Sequence, residues 1–402
     1  MRCPICQSDD TEPLLAVDRF PYFNLPVRLP DKEKILEKYE ISSLVAPLHY
    51  NFCSECGHVP IKHFPDHEIL DDLYSNYYSY PSALLGQFKA TRDDRFIRIF
   101  LSDVLSEAGN LSDAKLLEIG CFDGYVLSRL QKTGLSLHGC DPSEGADIGR
   151  LAGLDITKKP FSANHYLERD MIFDIVLSRH FIEHVECPAD FVGEMGQILK
   201  EGGLLVVETP NITHFLEQGL LEAFSLQHVN LFSESSISRL LSRQGFSVEQ
   251  VFSNSENLVV VARKSCSPDR EDIEPVGNDW EIIVSNFRNA VSLRRQQIQD
   301  YTKDKTRLVI WGAGGFGLAM IVLYRLPISK IAYFVDSDMK KEGMEYLYFR
   351  NPICQPGQLL KKRGDLVILA SMYADGIYSE AKILKDQDCL MISPEVRLLS
   401  HA

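Results

Sequence analysis

The sequence predicts an α/β protein with a Rossmann-like core, preceded by a small cysteine-bearing segment and followed by a second α/β region. Apolar runs alternate with amphipathic runs from residue 116 to 263 and again from 307 to 370, which is typical of mainly parallel sheets covered by helices. Both regions open with an apolar strand that runs directly into a glycine-rich turn. With 402 residues, the chain is long enough for two or three domains.

The first glycine turn, residues 118–124, reads Glu-Ile-Gly-Cys-Phe-Asp-Gly and follows the apolar pair Leu116-Leu117. Gly120 and Gly124 let the backbone turn sharply and approach a ligand closely. Glu118 and Asp123 give the turn negative charge, which repels a pyrophosphate and attracts a cationic sulfonium with an ammonium group. S-adenosylmethionine (SAM) is such a ligand. The turn therefore predicts a SAM site.

A second strand ends in Gly139-Cys140-Asp141-Pro142, and Asp141 is placed to accept both ribose hydroxyls. The two segments look like motifs I and II of class I methyltransferases. In such a sheet the ligand lies beyond the carboxyl ends of the strands, so the loops after Ile119, Cys140, Ser178 and Glu208 are candidates. The predicted cofactor-binding residues are Glu118, Gly120, Cys121, Asp123, Gly124, Asp141, Pro142, Ser178 and Arg179.

The later elements of this region follow in chain order. The pattern predicts a strand at Phe173–Ser178, a helix at Phe191–Lys200 stopped by Gly202-Gly203, a strand at Leu204–Glu208, a helix at Ser233–Gln244 with Ser233 as N-cap, and an antiparallel pair formed by Phe246–Val251 and Leu258–Arg263.

Two Cys-x-x-Cys pairs, Cys3 with Cys6 and Cys53 with Cys56, point to one structural Zn²⁺ held by four sulfurs. A redox pair or unrelated reduced thiols are the alternatives. His58 or His63 could also replace a cysteine ligand, although histidines near such a knuckle more often lie at the surface or contact the ligands without binding the metal.

A second glycine turn, Gly312-Ala313-Gly314-Gly315-Phe316-Gly317, follows the apolar strand 307–311 and precedes a helical run from Leu318. Its spacing is that of a dinucleotide fingerprint, with Asp336 at the end of the next strand, Ile331–Val335. Another apolar strand follows at Asp365–Ala370. The same turn also permits tight strand–helix packing, so it could hold a nucleotide sugar, NAD or nothing.

Composition and linkers complete the division of the chain. The net charge of −14 argues against nucleic acid as the main partner, and no apolar run reaches the ~20 residues of a membrane span. Without an N-terminal apolar stretch, we expect a cytoplasmic protein. Linkers at 66–87 and 265–278 suggest domains at 1–82, 83–265 and 266–402. The amphipathic stretch Trp280–Tyr301 could pack against its own chain or seal a dimer, and the oligomeric state stays open.

The order of these parts resembles the sugar C-methyltransferases that act on nucleotide-linked keto-deoxysugars. Tyr78-Ser79-Tyr80-Pro81-Ser82 is similar to the tyrosine-rich linker of that family, and Glu183-His184-Val185 looks like its turn after the fourth strand. The resemblance implies methylation of the carbon beside a sugar ketone, a structural zinc, and a nucleotide lying between the last two domains. It makes Gly312, Gly314 and Gly315 candidates for contact with the substrate.

One stretch departs from the family. Its active-site pattern Tyr-x-Glu-His is replaced by Ser225-Leu226-Gln227-His228, so the histidine is retained without its carboxylate and phenol. His228 is then either a base or a residue that braces the next helix. We expect His184, His228, Tyr78 and Tyr80 to be the catalytic candidates and Gln227 to contact the substrate.

The expected reaction is SAM-dependent methylation of a nucleotide-linked sugar, at carbon, with histidine as base. The loss of the carboxylate and phenol leaves O- or N-methylation of a carbohydrate-derived substrate as the alternative. Less favoured are an NAD-binding oxidoreductive protein, because no hydride-transfer constellation accompanies the second glycine turn, and a binding protein with a relic fold.

Overall fold

The computed structural model describes residues 2–77, 82–86, 90–105, 113–265, 279–361, 365–371 and 374–399. These residues form a seven-stranded central sheet, a six-stranded C-terminal sheet and two sheets of two strands each. The strands are β1 Thr11–Pro21, β2 Val45–Cys53, β3 Val59–Pro60, β4 Lys115–Ile119, β5 Ser136–Cys140, β6 Ile156–Thr157, β7 Phe173–Arg179, β8 Leu199–Pro210, β9 Asn230–Leu231, β10 Phe246–Ser253, β11 Asn257–Lys264, β12 Leu308–Trp311, β13 Ile331–Val335, β14 Ile353–Cys354, β15 Leu366–Leu369, β16 Asp388–Met391 and β17 Arg397–Leu399.

Helices cover both larger sheets, and a 3₁₀ turn, Ile182–His184, follows β7. The α-helices are α1 Leu29–Lys38, α2 His67–Tyr77, α3 Thr91–Ile99, α4 Tyr125–Leu130, α5 Gly145–Leu151, α6 Ala163–Leu167, α7 Pro188–Gln197, α8 Ile212–Gln218, α9 Glu234–Arg243, α10 Trp280–Thr302, α11 Gly315–Leu323 and α12 Ala374–Glu380. Within the described ranges, every helix is too short or too polar to traverse a lipid bilayer.

The central sheet has the strand order β10-β11-β8-β7-β4-β5-β6. Its five strands from β8 to β6 are parallel, whereas β11 runs antiparallel to β8 and β10 antiparallel to β11. The chain moves outward from β4 to β6 and then crosses back to β7 on the other side of β4. A crevice therefore opens where β4 and β7 diverge at their carboxyl ends, which is where ligands bind in sheets of this kind.

The predicted strands of this sheet and its antiparallel edge pair are confirmed. The cap of α9 is also confirmed, since Ser233 Oγ accepts a hydrogen bond from the Ser236 amide at 3.1 Å and Ser236 Oγ accepts one from the Ser233 amide at 2.9 Å. The predicted helix stop at Gly202-Gly203 is wrong, because α7 ends at Gln197 and both glycines lie within β8. A Cβ on Gly203 would stand 3.0 Å from the Asp174 carbonyl oxygen, so the close approach of two strands accounts for that glycine.

The N-terminal region is joined to both neighbours. Its strand β3 pairs antiparallel with β9, in the segment that follows α8. The buried Lys32 of α1 donates to Glu345 Oε2 at 2.7 Å and to the Tyr346 carbonyl at 2.9 Å, both in the C-terminal region. A single hydrophobic cluster runs from the N-terminal strands through α8 and α10 to the C-terminal sheet. The division at 82 and 265 stays a prediction.

The long helix α10 packs against its own chain, as one of the two sequence interpretations expected. The Trp280 ring lies 5.4 Å from the Phe52 ring of β2, and the Phe287 ring lies 5.8 Å from that of Phe224. Further along, the Arg295 guanidinium donates to the Leu323 carbonyl at the end of α11. The helix therefore packs on the N-terminal, central and C-terminal regions.

The C-terminal sheet has the order β14-β13-β12-β15-β16-β17, with the first five strands parallel and β17 antiparallel. The helix after its glycine turn begins at Gly315 rather than at Leu318, so the predicted start was three residues late. The glycine pattern thus includes the first turn of the helix.

Candidate functional site

The acidic turn after β4 lies at the crevice between β4 and β7. Glu118 and Asp123 are buried, at 2% exposure each. Gly120 has a φ of +74°, and a Cβ there would stand 2.6 Å from the Phe181 ring. Gly124 also has a positive φ and leads into α4. The turn therefore needs glycine for both conformation and space, as its sequence predicted.

Asp123 holds the turn to the segment that precedes α3. Its Oδ2 accepts hydrogen bonds from Ser82 Oγ at 2.7 Å and from the Leu84 amide at 2.9 Å, while Oδ1 accepts from the Tyr125 amide at 3.0 Å. The linker that follows the tyrosine-rich stretch is thus fixed directly against the turn. Tyr78 and Tyr80, predicted as catalytic candidates, lie outside the described residues.

Asp141 stands at the end of β5, beside the acidic turn. Its Oδ2 accepts from the Phe122 amide at 2.9 Å, and its Oδ1 accepts from the Ser143 amide at 2.9 Å and from Ser143 Oγ at 2.5 Å. A carboxylate oxygen has two lone pairs, so Oδ2 can still accept a ligand hydroxyl. Cys121 is buried next to it, with its sulfur close to Gly139, and Pro142 continues the loop.

Arg179, at the end of β7, is enclosed by carboxylates. Its Nη2 lies 2.8 Å from Glu208 Oε2 and 3.0 Å from Asp93 Oδ1, and its guanidinium carbon lies 4.2 Å from the Phe96 ring centroid. Burial alone would lower the pKa of Arg179, but the carboxylates of Glu208, Glu118 and Asp93 outweigh it and raise that pKa. The Arg179 guanidinium is therefore already in contact with carboxylates and with the Phe96 ring.

Among these carboxyl groups, Glu118 has the fewest partners that would offset the cost of its burial. Its Oε1 lies 3.8 Å from Arg179 Nη1, whereas its buried Oε2 has no hydrogen-bond partner among the described residues. Burial raises the pKa of Glu118 to about 8, against the attraction of Arg179. Ser178 Oγ, in the adjacent strand, is likewise buried and unpartnered there. An orphaned carboxyl beside an acidic turn fits a ligand that brings both positive charge and donors, as SAM does.

A cluster of two histidines and a glutamate lies beyond β7 and β8. Oxygen and nitrogen atoms of Glu183, His184 and His228 all lie within 4.8 Å of one another, and the two imidazole rings are 5.0 Å apart in an edge-to-face arrangement. His184 is exposed, His228 is half-buried and Glu183 is buried. The structure thus brings together the two histidines that the sequence offered as bases.

The surroundings set the charge of these groups. Burial would raise the pKa of Glu183, but the hydrogen bond from His180 and the nearby histidines lower it to about 2. Burial lowers the pKa of His228 to about 4, which leaves its imidazole neutral at neutral pH. Gln227 contributes its carbonyl oxygen, which lies 2.9 Å from His184 Nδ1. An anionic carboxylate therefore lies beside a neutral imidazole.

The N-terminal region holds the loops of this cluster. Tyr50 OH lies 2.6 Å from the carbonyl oxygens of both Ser225 and His228. His58 Nε2 bonds to Asn230 Oδ1 at 2.9 Å, and Asn230 Nδ2 donates to the Val185 carbonyl at 2.6 Å, one residue after His184. His58 is therefore engaged with an asparagine and lies outside the cysteine cluster.

The four cysteines predicted as metal ligands come together. Sγ–Sγ distances are 3.6 Å for Cys3 with Cys56 and 3.5 Å for Cys6 with Cys53, and all four sulfurs lie within 4.8 Å. A tetrahedral zinc ion with bonds near 2.3 Å sets its sulfurs roughly 3.8 Å apart. Disulfides would require about 2 Å. The four thiols, without His58 or His63, therefore fit a closed zinc site.

The C-terminal glycine turn is closely packed. A Cβ on Gly312, whose φ is +116°, would stand 2.3 Å from the Ala370 carbonyl oxygen, and one on Gly317 would stand 1.9 Å from that of Gly312. A Cβ on Gly315 would stand 2.9 Å from Asn24 Oδ1, and Tyr346 OH donates to the Gly314 carbonyl at 2.8 Å. Asp336 accepts from the Ala313 amide and pairs with Lys341. Close packing of the strand against the helix is therefore enough to explain Gly312 and Gly317, and no ligand is needed for either.

Sequence reasoning missed several members of the site. Glu183 was noticed only as part of a family-like turn, and its partner Thr209 was not considered. Asp93, which pairs with Arg179, and Tyr50, which holds the His228 loop, were also missed. The sequence marked the loop after Glu208 as a candidate, by the same rule that selected Ser178, but it did not indicate that Glu208 itself pairs with Arg179. Asp93 and Tyr50 carry no such pattern.

The comparisons with known proteins each match part of the chain. A family described as "Methyltransferase domain" matches residues 92–251. The chain is 28% identical over 134 residues to the ubiquinone biosynthesis O-methyltransferase of Nitrosococcus oceani, covering 32% of the chain and 56% of the relative. For the protein of the same name from Caulobacter vibrioides the identity is 36% over 104 residues, covering 24% and 41%. The chain thus spans about half the length of these relatives.

Among solved structures, the chain is similar to magnesium protoporphyrin IX methyltransferase from Synechocystis PCC 6803 with bound SAM. The identity is 14%, the TM-score is 0.36, and the match covers 51% of this chain and 99% of the other. The sheet order, the acidic glycine turn and the family match together define the class of protein: the chain carries a class I SAM-dependent methyltransferase domain.

Proposed function

We propose that the chain methylates a nucleotide-linked sugar, at the carbon beside a ketone, with SAM as methyl donor. The observation that carries the proposal is the convergence of His184 and His228 at the carboxyl edge of the sheet that bears the acidic turn. In this proposal, a proton-accepting group and the methyl donor would lie at the same edge of the sheet. The nature of the acceptor rests on the family resemblance of the whole chain.

The cofactor would lie along the acidic turn. Asp141 Oδ2 is available to a ribose hydroxyl, and the orphaned Oε2 of Glu118 suits a donor on the amino-acid end of SAM. Bound there, SAM supplies an electrophilic methyl group. Ser178 Oγ, near the end of β7, is buried without a hydrogen-bond partner among the described residues, and its contact with the cofactor stays a prediction. Arg179 acts by holding Glu208 and Asp93, and its own contact with the cofactor stays a prediction.

The histidines remove the proton of the acceptor. Each imidazole bonds a backbone carbonyl through Nδ1, so Nε2 is the nitrogen that can take a proton. As the α proton moves to Nε2, the carbon electron pair forms the new bond to the methyl group and sulfur keeps the pair of the bond that breaks. The products are the methylated acceptor and S-adenosylhomocysteine, and the imidazolium returns its proton to solvent.

A second candidate is methylation of a hydroxyl oxygen. The curated relatives are named as O-methyltransferases, and the family carboxylate is replaced by Gln227, whose amide cannot abstract a proton. A single histidine suffices to deprotonate a hydroxyl, so this reaction needs fewer groups than enolate formation.

The C-terminal sheet would hold the nucleotide part of the acceptor. NAD is less favoured there, because a pyrophosphate over the start of α11 would have to displace Asn24 from Gly315. The substrate contacts predicted for Gly312, Gly314, Gly315 and Gln227 remain part of this proposal. For the four cysteines we propose a structural Zn²⁺, since a site closed by four sulfurs leaves no position for a substrate.

The test uses the full chain with labelled SAM and two sets of nucleotide sugars, one carrying a ketone and one carrying only hydroxyls. We expect carbon methylation of a keto sugar, identified by NMR of the product. His184→Gln or His228→Gln should slow single-turnover transfer by about 10² to 10⁴, whereas His165→Gln, on the surface helix α6, should not.

Transfer only to hydroxyl acceptors would favour the second candidate. If neither histidine substitution slows transfer by more than about tenfold, the histidine mechanism is wrong. Melting temperatures of the three variants control for folding.

A further inference from the structure

The two histidines of the cluster have defined tautomers. His184 Nδ1 lies 2.9 Å from the Gln227 carbonyl oxygen, and His228 Nδ1 lies 2.7 Å from that of Ala223. A carbonyl oxygen only accepts, so in each neutral ring Nδ1 carries the hydrogen and Nε2 carries the lone pair. Both lone pairs therefore belong to nitrogens on the far side of the rings from their backbone anchors.

An imidazole anchored through one nitrogen to a backbone carbonyl is the usual arrangement of a histidine that binds a metal through the other nitrogen. The carboxylate of the cluster is anchored in the same way. Glu183 Oε2 accepts from Thr209 Oγ1 at 3.2 Å, and Oε1 lies 3.4 Å from His180 Nδ1. All three side chains thus have the outer partners that orient metal ligands.

We propose that Glu183, His184 and His228 form a binding site for a divalent transition-metal ion, separate from the four-cysteine site. One ligand atom from each residue already lies within 4.8 Å of the others. Around an ion with bonds of about 2.1 Å, neighbouring donors stand roughly 3 to 3.5 Å apart. The ligand atoms therefore need to close by at most about 1.3 to 1.8 Å, and the exposed ring of His184 has room to move.

The ligand set selects the kind of ion. Two imidazoles and one carboxylate suit Zn²⁺, Fe²⁺, Co²⁺ or Mn²⁺, whereas Mg²⁺ and Ca²⁺ prefer oxygen ligands throughout. Three protein ligands leave coordination positions open, which distinguishes this site from the closed set of four sulfurs. His184 is exposed, so an acceptor can reach the cluster from solvent.

The use of the ion rests on the proposed function. An acceptor oxygen, whether of a ketone or of a hydroxyl, would take an open position and lose proton affinity there. With the ion bound, each Nε2 would bind the metal and could not also take a proton, so this role would replace the base role proposed for the histidines above and the proton would leave to solvent water. The family that this chain resembles has a carboxylate where this chain has Gln227. The ion would supply the charge that is missing at that position.

The experiment is a cobalt titration of the full chain purified without chelator, so that zinc remains on the cysteines. We expect one Co²⁺ per chain beyond the bound zinc, detected by calorimetry and by d–d absorption without thiolate charge-transfer bands. His184→Gln and Glu183→Gln should weaken cobalt binding at least about tenfold, while His165→Gln should leave it unchanged. His184 is exposed, so its substitution is expected to leave the fold intact, which the melting temperature checks.

Equal cobalt binding by the wild-type chain and His184→Gln, or no binding by either, would overturn the site. Methyl transfer that depends on His184 in protein holding only the cysteine-bound zinc would also overturn it, and would leave the proposed function standing. Cobalt binding that depends on the cluster, in a chain that transfers no methyl group to any nucleotide sugar, would support the site and reject the proposed function.

Discussion

Glu118→Gln tests the electrostatics of the acidic turn. The Glu118 carboxyl is buried, one of its oxygens has no partner among the described residues, and its pKa is raised from 4.5 to about 8. In the unfolded chain the group ionises near the ordinary value, so wild-type stability falls as the pH rises from about 5 to about 8 and is constant above that. A glutamine has the same shape and never ionises.

The magnitude follows from the pKa. A rise from 4.5 to about 8 corresponds to an upper bound of roughly 5 kcal/mol of lost stability at high pH. A buried unsatisfied amide costs about 1 to 3 kcal/mol in return. We therefore expect Glu118→Gln to be more stable than wild type by about 2 to 4 kcal/mol at pH 9, and less stable by about 1 to 3 kcal/mol at pH 5, where the wild-type carboxyl is neutral.

The assay is thermal unfolding of the SAM-free protein, followed by circular dichroism between pH 5 and pH 9. Glu168→Gln, at an exposed position after α6, is the matched control and should follow the wild-type curve. SAM affinity should change in the opposite direction to stability. A cationic ligand favours the ionised carboxyl, so Glu118→Gln should bind SAM more weakly than wild type at pH 9. A stability difference that is independent of pH would refute the account of Glu118.

Three further substitutions address the other parts of the site. Asp141→Ala should weaken SAM binding by roughly 2 to 3 kcal/mol through lost charge-assisted hydrogen bonds; an unchanged dissociation constant in calorimetry would contradict the ribose role. Cys53→Ser should abolish zinc binding in elemental analysis and lower the melting temperature while SAM affinity is largely retained. If elemental analysis finds no bound metal in wild-type protein purified without chelator, the result would argue against the zinc site. Gly120→Ala should destabilise the protein by roughly 1 to 3 kcal/mol, since its Cβ would meet Phe181 at 2.6 Å; denaturant unfolding with no loss would show that the turn relaxes.

The sequence predicted best those elements whose structure is determined by residues close together in the chain. The turn after β4 could be predicted because an apolar strand must stop where two glycines allow a positive φ, and because its charge lies within seven residues. The start of α9 was predictable because Ser233 and Ser236 satisfy each other's backbone amides three residues apart. In both places, the residues that determine the structure are neighbours in the chain.

Arg179 illustrates where local reasoning stops. Its position at the end of β7 suggested contact with a cofactor, but its guanidinium lies among Asp93, 86 residues earlier, and Glu208, 29 residues later. Nothing in the spacing of those carboxylates indicates that they would meet one arginine. The same holds for the C-terminal turn, where Asn24 lies against Gly315 from a distant part of the chain.

The cysteine cluster and the histidine cluster are connected by a short path of polar contacts. The Cys56 carbonyl accepts hydrogen bonds from Ser233 Oγ at 3.0 Å and Ser235 Oγ at 2.8 Å, which ties the knuckle to the start of α9. Through the bonds of His58 to Asn230 and of Asn230 to the Val185 carbonyl, the same region holds the turn that bears His184. A metal that orders the N-terminal region would therefore also order the loops on which both histidines stand. The proposed structural zinc would then help to position the proposed acceptor site without contacting the reacting atoms.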